Sequence, residues 1–363
     1  MIKKEINEIK KLYAIDTHPV VRICGCYVDA EKNKISTFRE NFLSLPDEET
    51  FKYLDIFKKT LSGPIGKNLI NLDFPTFAEA IGGSQNNILK LQDSRLENDS
   101  LLEGFYDKVI ENYNHDGNYL ILLIHNEYDV PAKATDGFKT GDSDEVFDFI
   151  LCSICPVCLD KPGLSYKDTG KVFTNKVRNW VVNAPEVGFM FPAFNDRTTD
   201  IHSTLYFAKS DIHGEFIEDI LGCKEPMAAV DQKAGFEALL KETLGDKCDM
   251  NTVKNIHRNI SKRIKESDKP VVLDKNDVKS VLSESGVTDL ADFDRHYDNT
   301  LGSESVHAEN IINTRNFEVK SPSVSIKVNP KDTHLISIKE IAGKKCIVIE
   351  INDNVTVNGI NIK

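Results

Sequence analysis

Apolar residues recur along this chain with two periods, and the changeovers between them outline its organisation. Ile2, Ile6, Ile9 and Tyr13 fall on one stripe of a short helix over residues 2–13. Alternation then predicts strands over Val20–Val28 and Ile35–Phe42, with a hairpin through Asp29-Ala30-Glu31-Lys32-Asn33-Lys34 between them. Pro46 and the acids Asp47, Glu48 and Glu49 open a helix whose apolar face carries Phe51, Leu54, Phe57 and Leu61. Gly63-Pro64 closes it, and polar sequence without a period, expected to be irregular, continues to about residue 87. Asn98-Asp99 caps a further helix bearing Leu102, Phe105, Val109 and Tyr113.

Strands are predicted next over Tyr119–Asp129 and Glu145–Val157, with a polar, mobile segment from Pro131 to Asp144 between them. Tyr119 to Ile124 is apolar on both faces, the pattern of a central strand in a covered sheet. Phe173, Val177 and Trp180 share a helical spacing, while Gly188–Pro192 and Thr204–Ala208 read as strands. From about residue 213 to 301 the period is helical almost throughout, punctuated by Gly222, Gly245 and Gly286 and started by Asp249 and Asp274. Period two returns at Val324/Ile326/Val328, Ile336/Ile338, Ile347/Ile349/Ile351 and Val355/Val357. The class expected is α+β, with a mixed N-terminal sheet region, flanking helices, a helical middle section and a small C-terminal β module. Three parts follow: residues 1–210 as an α+β domain with a mainly antiparallel sheet, 211–301 as a helical region, and 311–363 as the β module, with Leu301–Asn310 as a connection.

Composition narrows the function classes. A 40% apolar and 28% charged chain is ordinary for a soluble globular protein. No apolar run approaches a membrane span, and the N-terminus lacks the apolar stretch of a secretory signal. Eight cysteines without such a signal imply reduced thiols and a cytoplasmic location. A net charge of −12 opposes whole-surface attraction to nucleic acid or anionic lipid. Any nucleic-acid contact must then use a local basic face.

That face is predicted on the helix from Met250 to Glu266. Lys254, Arg258, Lys262 and Lys265 recur at i, i+4, i+8 and i+11, with Arg263 beside them and the stripe Val253, Ile256, Ile260 and Ile264 turned elsewhere. The other candidate chemistry is the thiols. Cys152, Cys155 and Cys158 crowd seven residues, and Cys24 and Cys26 lie far upstream. Zinc takes four soft ligands, so Cys24, Cys26, Cys152 and Cys155 form the alternative metal set. In an extended strand Cys152 and Cys155 point to opposite faces, and shared coordination would need a turn at Pro156. The reading preferred is that these thiols are small buried apolar groups and that no metal or other cofactor is held. Gly63 to Asn68 lacks the spacing of a phosphate-binding loop. His125-Asn126-Glu127 ends a strand where a base–acid pair could work, and His202 and His213 flank another; no local nucleophile signature accompanies them.

Arg22 to Val28, Leu61-Ser62-Gly63 with Gly66 to Ile70, Asn118 to Leu122, Ile150 to Val157, Trp180 to Glu186 and Phe317 to Lys320 form a distinctive set of blocks. Together they resemble the domain-of-unknown-function 4317 family of anaerobic Firmicutes over essentially the full length. That resemblance implies Cys152 and Cys155 as family positions but not Cys158, and it brings no established activity. Gly117 to Ile121, with Phe216 to Cys223 and Gln232-Lys233, is similar over about a third of the chain to the 37-kilodalton nucleoid-associated family. That likeness implies association with chromosome components without catalysis. The function expected is therefore a cytosolic binding protein, more a binder than an enzyme, acting through protein contacts or weak nucleic-acid contacts and without a membrane. Its oligomeric state is left open. The alternative is a zinc protein or enzyme built on the thiols.

Overall fold

The alternating segments pair into one large antiparallel sheet that helices cover on both faces. The computed structural model describes residues 1–14, 18–133, 139–351, 354–357 and 359–362. The first elements are helix α1 (Lys3–Lys11), strands β1 (Val20–Val28) and β2 (Lys34–Asn41), helix α2 (Asp47–Thr60) and strand β3 (Leu69–Asp73). Helices α3 (Thr76–Glu79), α4 (Ser84–Asp93) and α5 (Asp99–Asn112) follow, then the long strands β4 (Asn118–Lys133) and β5 (Lys139–Leu159). Short strands come next: β6 (Leu164–Lys167), β7 (Val172–Asn175), β8 (Trp180–Val182), β9 (Val187–Phe191), β10 (Ala193–Asn195), β11 (Thr198–Asp200) and β12 (Ser203–Ala208). The order across the sheet is β2-β1-β4-β5-β9-β12-β3, with β8 pairing the end of β5.

Antiparallel sheets commonly leave one face to water. Here β4 is buried from Tyr119 to Ile124 on both faces, as its continuous apolar run predicts. Odd-numbered residues of β4, such as Ile121 and Leu123, meet α4, α5 and the π-helical turn Phe216–Leu221. Even-numbered ones, such as Leu122 and Ile124, meet α1 and α2. The strand pair expected from the sequence is thus present, and longer than expected. Of the segment expected to be mobile, residues 134–138 lie outside the described residues.

Two expectations in this region are corrected. The polar stretch to residue 87 contains β3, α3 and the start of α4. Leu69, Ile70 and Leu72 are enough to seat β3 against β12, but five residues are too few to establish a period. Phe173, Val177 and Trp180 do not form a helix: Phe173 lies in β7 and Trp180 in β8, and all three are exposed. Their helical spacing has no core to face, so ladder pairing decides. Phe173 pairs Tyr166, and Trp180 pairs Leu159.

The chain divides into two compact units, Met1–Pro226 and Met227–Lys363. The π-helical turn supplies Phe216, Ile217, Ile220 and Leu221 to the core of the first unit. The second unit holds α6 (Ala229–Leu244), α7 (Met250–Glu266), β13 (Val272–Leu273), α8 (Lys275–Glu284), α9 (Phe293–Leu301), β14 (Val306–His307) and α10 (Ala308–Ile311). Asp249 and Asp274 cap α7 and α8 by accepting from the backbone amides of Thr252 and Asp277. Residues 301–310 are packed rather than loose. Val306 and Ala308 are fully buried, and β14 pairs β13.

Three hairpins end the chain: β15 (Phe317–Lys320) with β16 (Ser325–Val328), β17 (Ile336–Ile341) with β18 (Lys344–Ile349), and β19 (Val355–Val357) with β20 (Ile360–Ile362). The alternation is real, but it buries little. Ile338, Ile347, Ile349 and Ile351 are exposed, and among the described residues of these hairpins only Phe317 and Ile336 are buried. No helix among the described residues is long and apolar enough to cross a membrane.

Candidate functional site: a basic groove on α7

Helix α7 buries Ile256 and Ile260 in the core of the second unit, which turns its basic residues outward. The turn Pro330–Leu335 and the start of β17 stand opposite and complete an open groove of about 860 Å³. Lys254, Arg258, Lys262 and Lys265 line one wall and Lys331 the other, with His257 and His334 between them. Against these five cations the described lining contributes one carboxylate, Glu266. Lys331, His257 and His334 were not expected from the sequence. They lie outside the helical run or carry no periodic signal, and only the fold brings them to it.

The five residues predicted on the helix do different things. Lys254 donates its ammonium to the buried carbonyl of Ile336 and so ties α7 to β17. Arg263 turns away from the groove to α8, bonding Glu284 at 2.9 Å and lying 3.8 Å from Asp277. Arg258 is exposed and, among the described residues, bonds only Asn255 Oδ1, at 2.6 Å, a neutral partner. Lys262 keeps a loose 3.9 Å approach to Glu266. Among the described residues the side chains of Lys265 and Lys331 have no ion-pair partner. The Ser337 hydroxyl, also in the groove, is buried and without a hydrogen-bond partner among the described residues.

The thiols are distributed differently. Cys24, Cys26 and Cys152 lie on one face of the sheet with Tyr106 and Phe189, while Cys155 lies on the other with Phe57 and Leu151. Cys24 and Cys152 both face Leu123 of β4, which puts them two strand spacings apart, about 9–10 Å. Zinc at about 2.3 Å from each sulfur needs its thiols far closer than that. The fold thus does not bring the four together. Burial pushes the Cys24 and Cys26 thiols up to about 11, Cys155 to about 12, and Cys152 well above its ordinary value.

Protonated, buried thiols react slowly, because the thiolate is the nucleophile. Iodoacetamide at mildly alkaline pH should therefore label the exposed Cys158 and Cys248 first and leave Cys24, Cys26, Cys152 and Cys155 unmodified. Peptide mass spectrometry over a time course checks this, and early labelling of Cys152 would show that the sheet opens. The raised values also set a sign. An unfolded chain loses these protons near the ordinary value of 9.0 while the folded chain keeps them, so stability should fall as pH climbs from there toward 11.

His125 and Glu127 meet Asp148 across the β4–β5 ladder. His125 Nε2 lies 2.6 Å from Asp148 Oδ1, and Gln92 donates to the same oxygen at 2.7 Å. Burial pushes the Asp148 carboxyl up, but the hydrogen bonds from His125 and Gln92 outweigh it and hold the group below its ordinary value. Ligand atoms of the three residues lie within 4.8 Å of one another, close enough for a divalent ion. Arg95 already supplies a cation there, 2.9 Å from Glu127. His202 pairs with exposed geometry to Glu79 at 2.8 Å, and His213 packs on the Tyr113 ring, so neither joins this cluster.

Two comparisons bear on the whole chain. No curated protein matches it in sequence. The family model described as "Domain of unknown function (DUF4317)" matches residues 1–360, nearly every residue of both units. The chain therefore belongs to the DUF4317 family.

Proposed function

We propose that this protein is a non-catalytic binding protein whose α7 groove takes the phosphate backbone of nucleic acid, in the cytoplasm and in association with the chromosome. The observation that supports it is the charge of the groove, five cations against one carboxylate in a chain of net −12. From residue 254 to 265 the helix rises about 16 Å, so its cations form a row along which a chain of phosphates can lie. Lys254 is committed to Ile336, which leaves Arg258, Lys262, Lys265 and Lys331 for the phosphates. Among the described residues no phenylalanine, tyrosine or tryptophan lines the groove, so they offer no ring of that kind for bases to stack on. Binding is then independent of sequence, weak, and governed by salt.

Fluorescence anisotropy with labelled duplex and single-stranded oligonucleotides over a salt series tests this. Four phosphate contacts predict a loss of about a hundredfold in affinity between about 50 and 200 mM salt. Absence of binding at the lowest salt would refute the proposal. Poly-glutamate competing as well as unlabelled DNA would mean that the groove serves an acidic protein surface instead.

A further inference from the structure

A second pocket lies in the first unit, far in sequence from α7, and three unusual features converge on it. It is a cleft of about 210 Å³ along the seam between α4 and α5. Ile88 and Leu91 of α4, Leu101 and Phe105 of α5 and Ile220 of the π-helical turn make its walls apolar. The first feature is Gly104. A glycine inside a helix costs about 1 kcal/mol relative to alanine, and here a Cβ would meet nothing within 4 Å. Packing does not demand that glycine; its missing side chain is what keeps the cleft open.

The second feature is Lys108, one turn beyond Gly104 on the same face of α5. Its half-buried ammonium donates to Ser84 Oγ at 3.0 Å and to the carbonyl of Ile220 at 3.2 Å. Two of its three N–H groups are thereby used. Among the described residues no carboxylate comes within ion-pair distance. Burial lowers the ammonium's pKa, and the charge of Asp219 offsets part of that. A half-buried cation with no carboxylate in ion-pair contact, and with one N–H group still free, favours an anionic ligand beside it. The third feature is the π-helical turn itself, a rare geometry that is frequent at functional sites. It ends at Gly222, whose φ is +75° and whose Cβ would lie 2.8 Å from Ser84, so only glycine lets this turn close against the mouth of the cleft.

We propose that this pocket binds a small monocarboxylate with an apolar tail, the carboxylate on Lys108 and the tail between α4 and α5. An apolar cavity of about 150 Å³ accepts benzene, so the volume here suits a ligand of about six to eight carbon atoms. The proposal stands independently of the α7 groove, since it concerns the other unit and a different ligand class.

Hexanoate, hexanol and hexylamine, of equal tail length, are the probes, read by saturation-transfer NMR and thermal shift on the full chain. Hexanoate should bind, hexanol at least tenfold more weakly, and hexylamine not at all. Lys108→Met should remove the preference for hexanoate over hexanol while hexanol still binds, which shows that the cleft is intact. Gly104→Leu should fill the cleft and abolish binding of every probe without lowering the melting temperature. If that variant does not fold, Gly104→Ala should still weaken hexanoate at least threefold. Hexylamine binding as well as hexanoate, no binding of hexanoate at millimolar concentration, or Gly104 variants that bind like the natural chain would each overturn the proposal.

Discussion

Gly188→Ala should destabilise the first unit by about 3 kcal/mol, among the largest effects of any single methyl group in this protein. Gly188 lies in β9 between Ser153 of β5 and Phe207 of β12. A Cβ there would come within 2.4 Å of the Cys152 carbonyl and 2.6 Å of the Thr60 methyl. The first neighbour is backbone of a central strand and cannot swing aside. The second belongs to the last turn of α2, where the Thr60 hydroxyl lies 2.7 Å from that of Ser153, two buried polar groups that satisfy each other across the helix–sheet contact. Alanine would push α2 off the sheet and break that pair; the Thr60 hydroxyl would keep the Ile56 carbonyl of its own helix, 3.2 Å away, but the Ser153 hydroxyl would be buried without its partner. For a unit of this size the loss corresponds to about 10 °C in melting temperature. Calorimetry on the variant decides: an unchanged midpoint would mean that α2 does not approach β9 this closely.

Reversing four charges in the α7 groove should have the largest effect on binding. Arg258→Glu, Lys262→Glu, Lys265→Glu and Lys331→Glu together replace the cations left for phosphate. Affinity for duplex DNA should fall at least a hundredfold at physiological salt, and the salt slope should flatten toward zero. The fold should hardly notice, because exposed charges contribute little to stability. Lys254 is the control with the opposite signature. Lys254→Met removes a charged hydrogen bond to the buried Ile336 carbonyl, so it should cost about 1–2 kcal/mol of stability and change affinity little. Anisotropy and thermal melting on both variants separate the two roles. A quadruple variant that binds normally would place the partner elsewhere; a melted one would mean that these side chains brace the hairpins as Lys254 does.

The groove on α7 and the pocket on α5 place different demands on one chain. The groove is open and matched to a polymer, and Arg258, Lys262, Lys265 and Lys331 in it are exposed. The cleft is small with apolar walls, and its single cation is half-buried. Loss of one by substitution should leave the other untouched, since independent sites contribute additively.

Much of the fold was legible because the signals are local. Caps at Asn98, Asp249 and Asp274, the glycine ends at Gly222 and Gly245, and the apolar stripes of α5 and α7 each depend on residues within a turn or two of one another. The same holds for β1 with β2 and β4 with β5, where alternation and a turn suffice. Even the opposite facing of Cys152 and Cys155 follows from strand parity alone, and the two thiols do fall in different core clusters. Weak local signals failed for the same reason: β3 is five residues long, and the spacing of Phe173, Val177 and Trp180 has no surface to pack against.

What only the tertiary structure decided concerns partners distant in sequence. The basic row on α7 was visible, but not that Pro330–Leu335 walls it into a groove, that Lys331 joins it, or that Lys254 is spent on Ile336 and Arg263 on Glu284. Lys108 carried no signal at all, because a lysine near the end of an amphipathic helix reads as solvated until Ser84 and Ile220 are brought to it. Periodicity reports which side of an element is apolar. Whether that side finds a core is a global question, and the last hairpins answer it in the negative, with Ile338, Ile347 and Ile349 alternating as a buried face would and yet exposed. Chain neighbours set the element, but burial and the pairing of charges depend on what the rest of the fold places opposite.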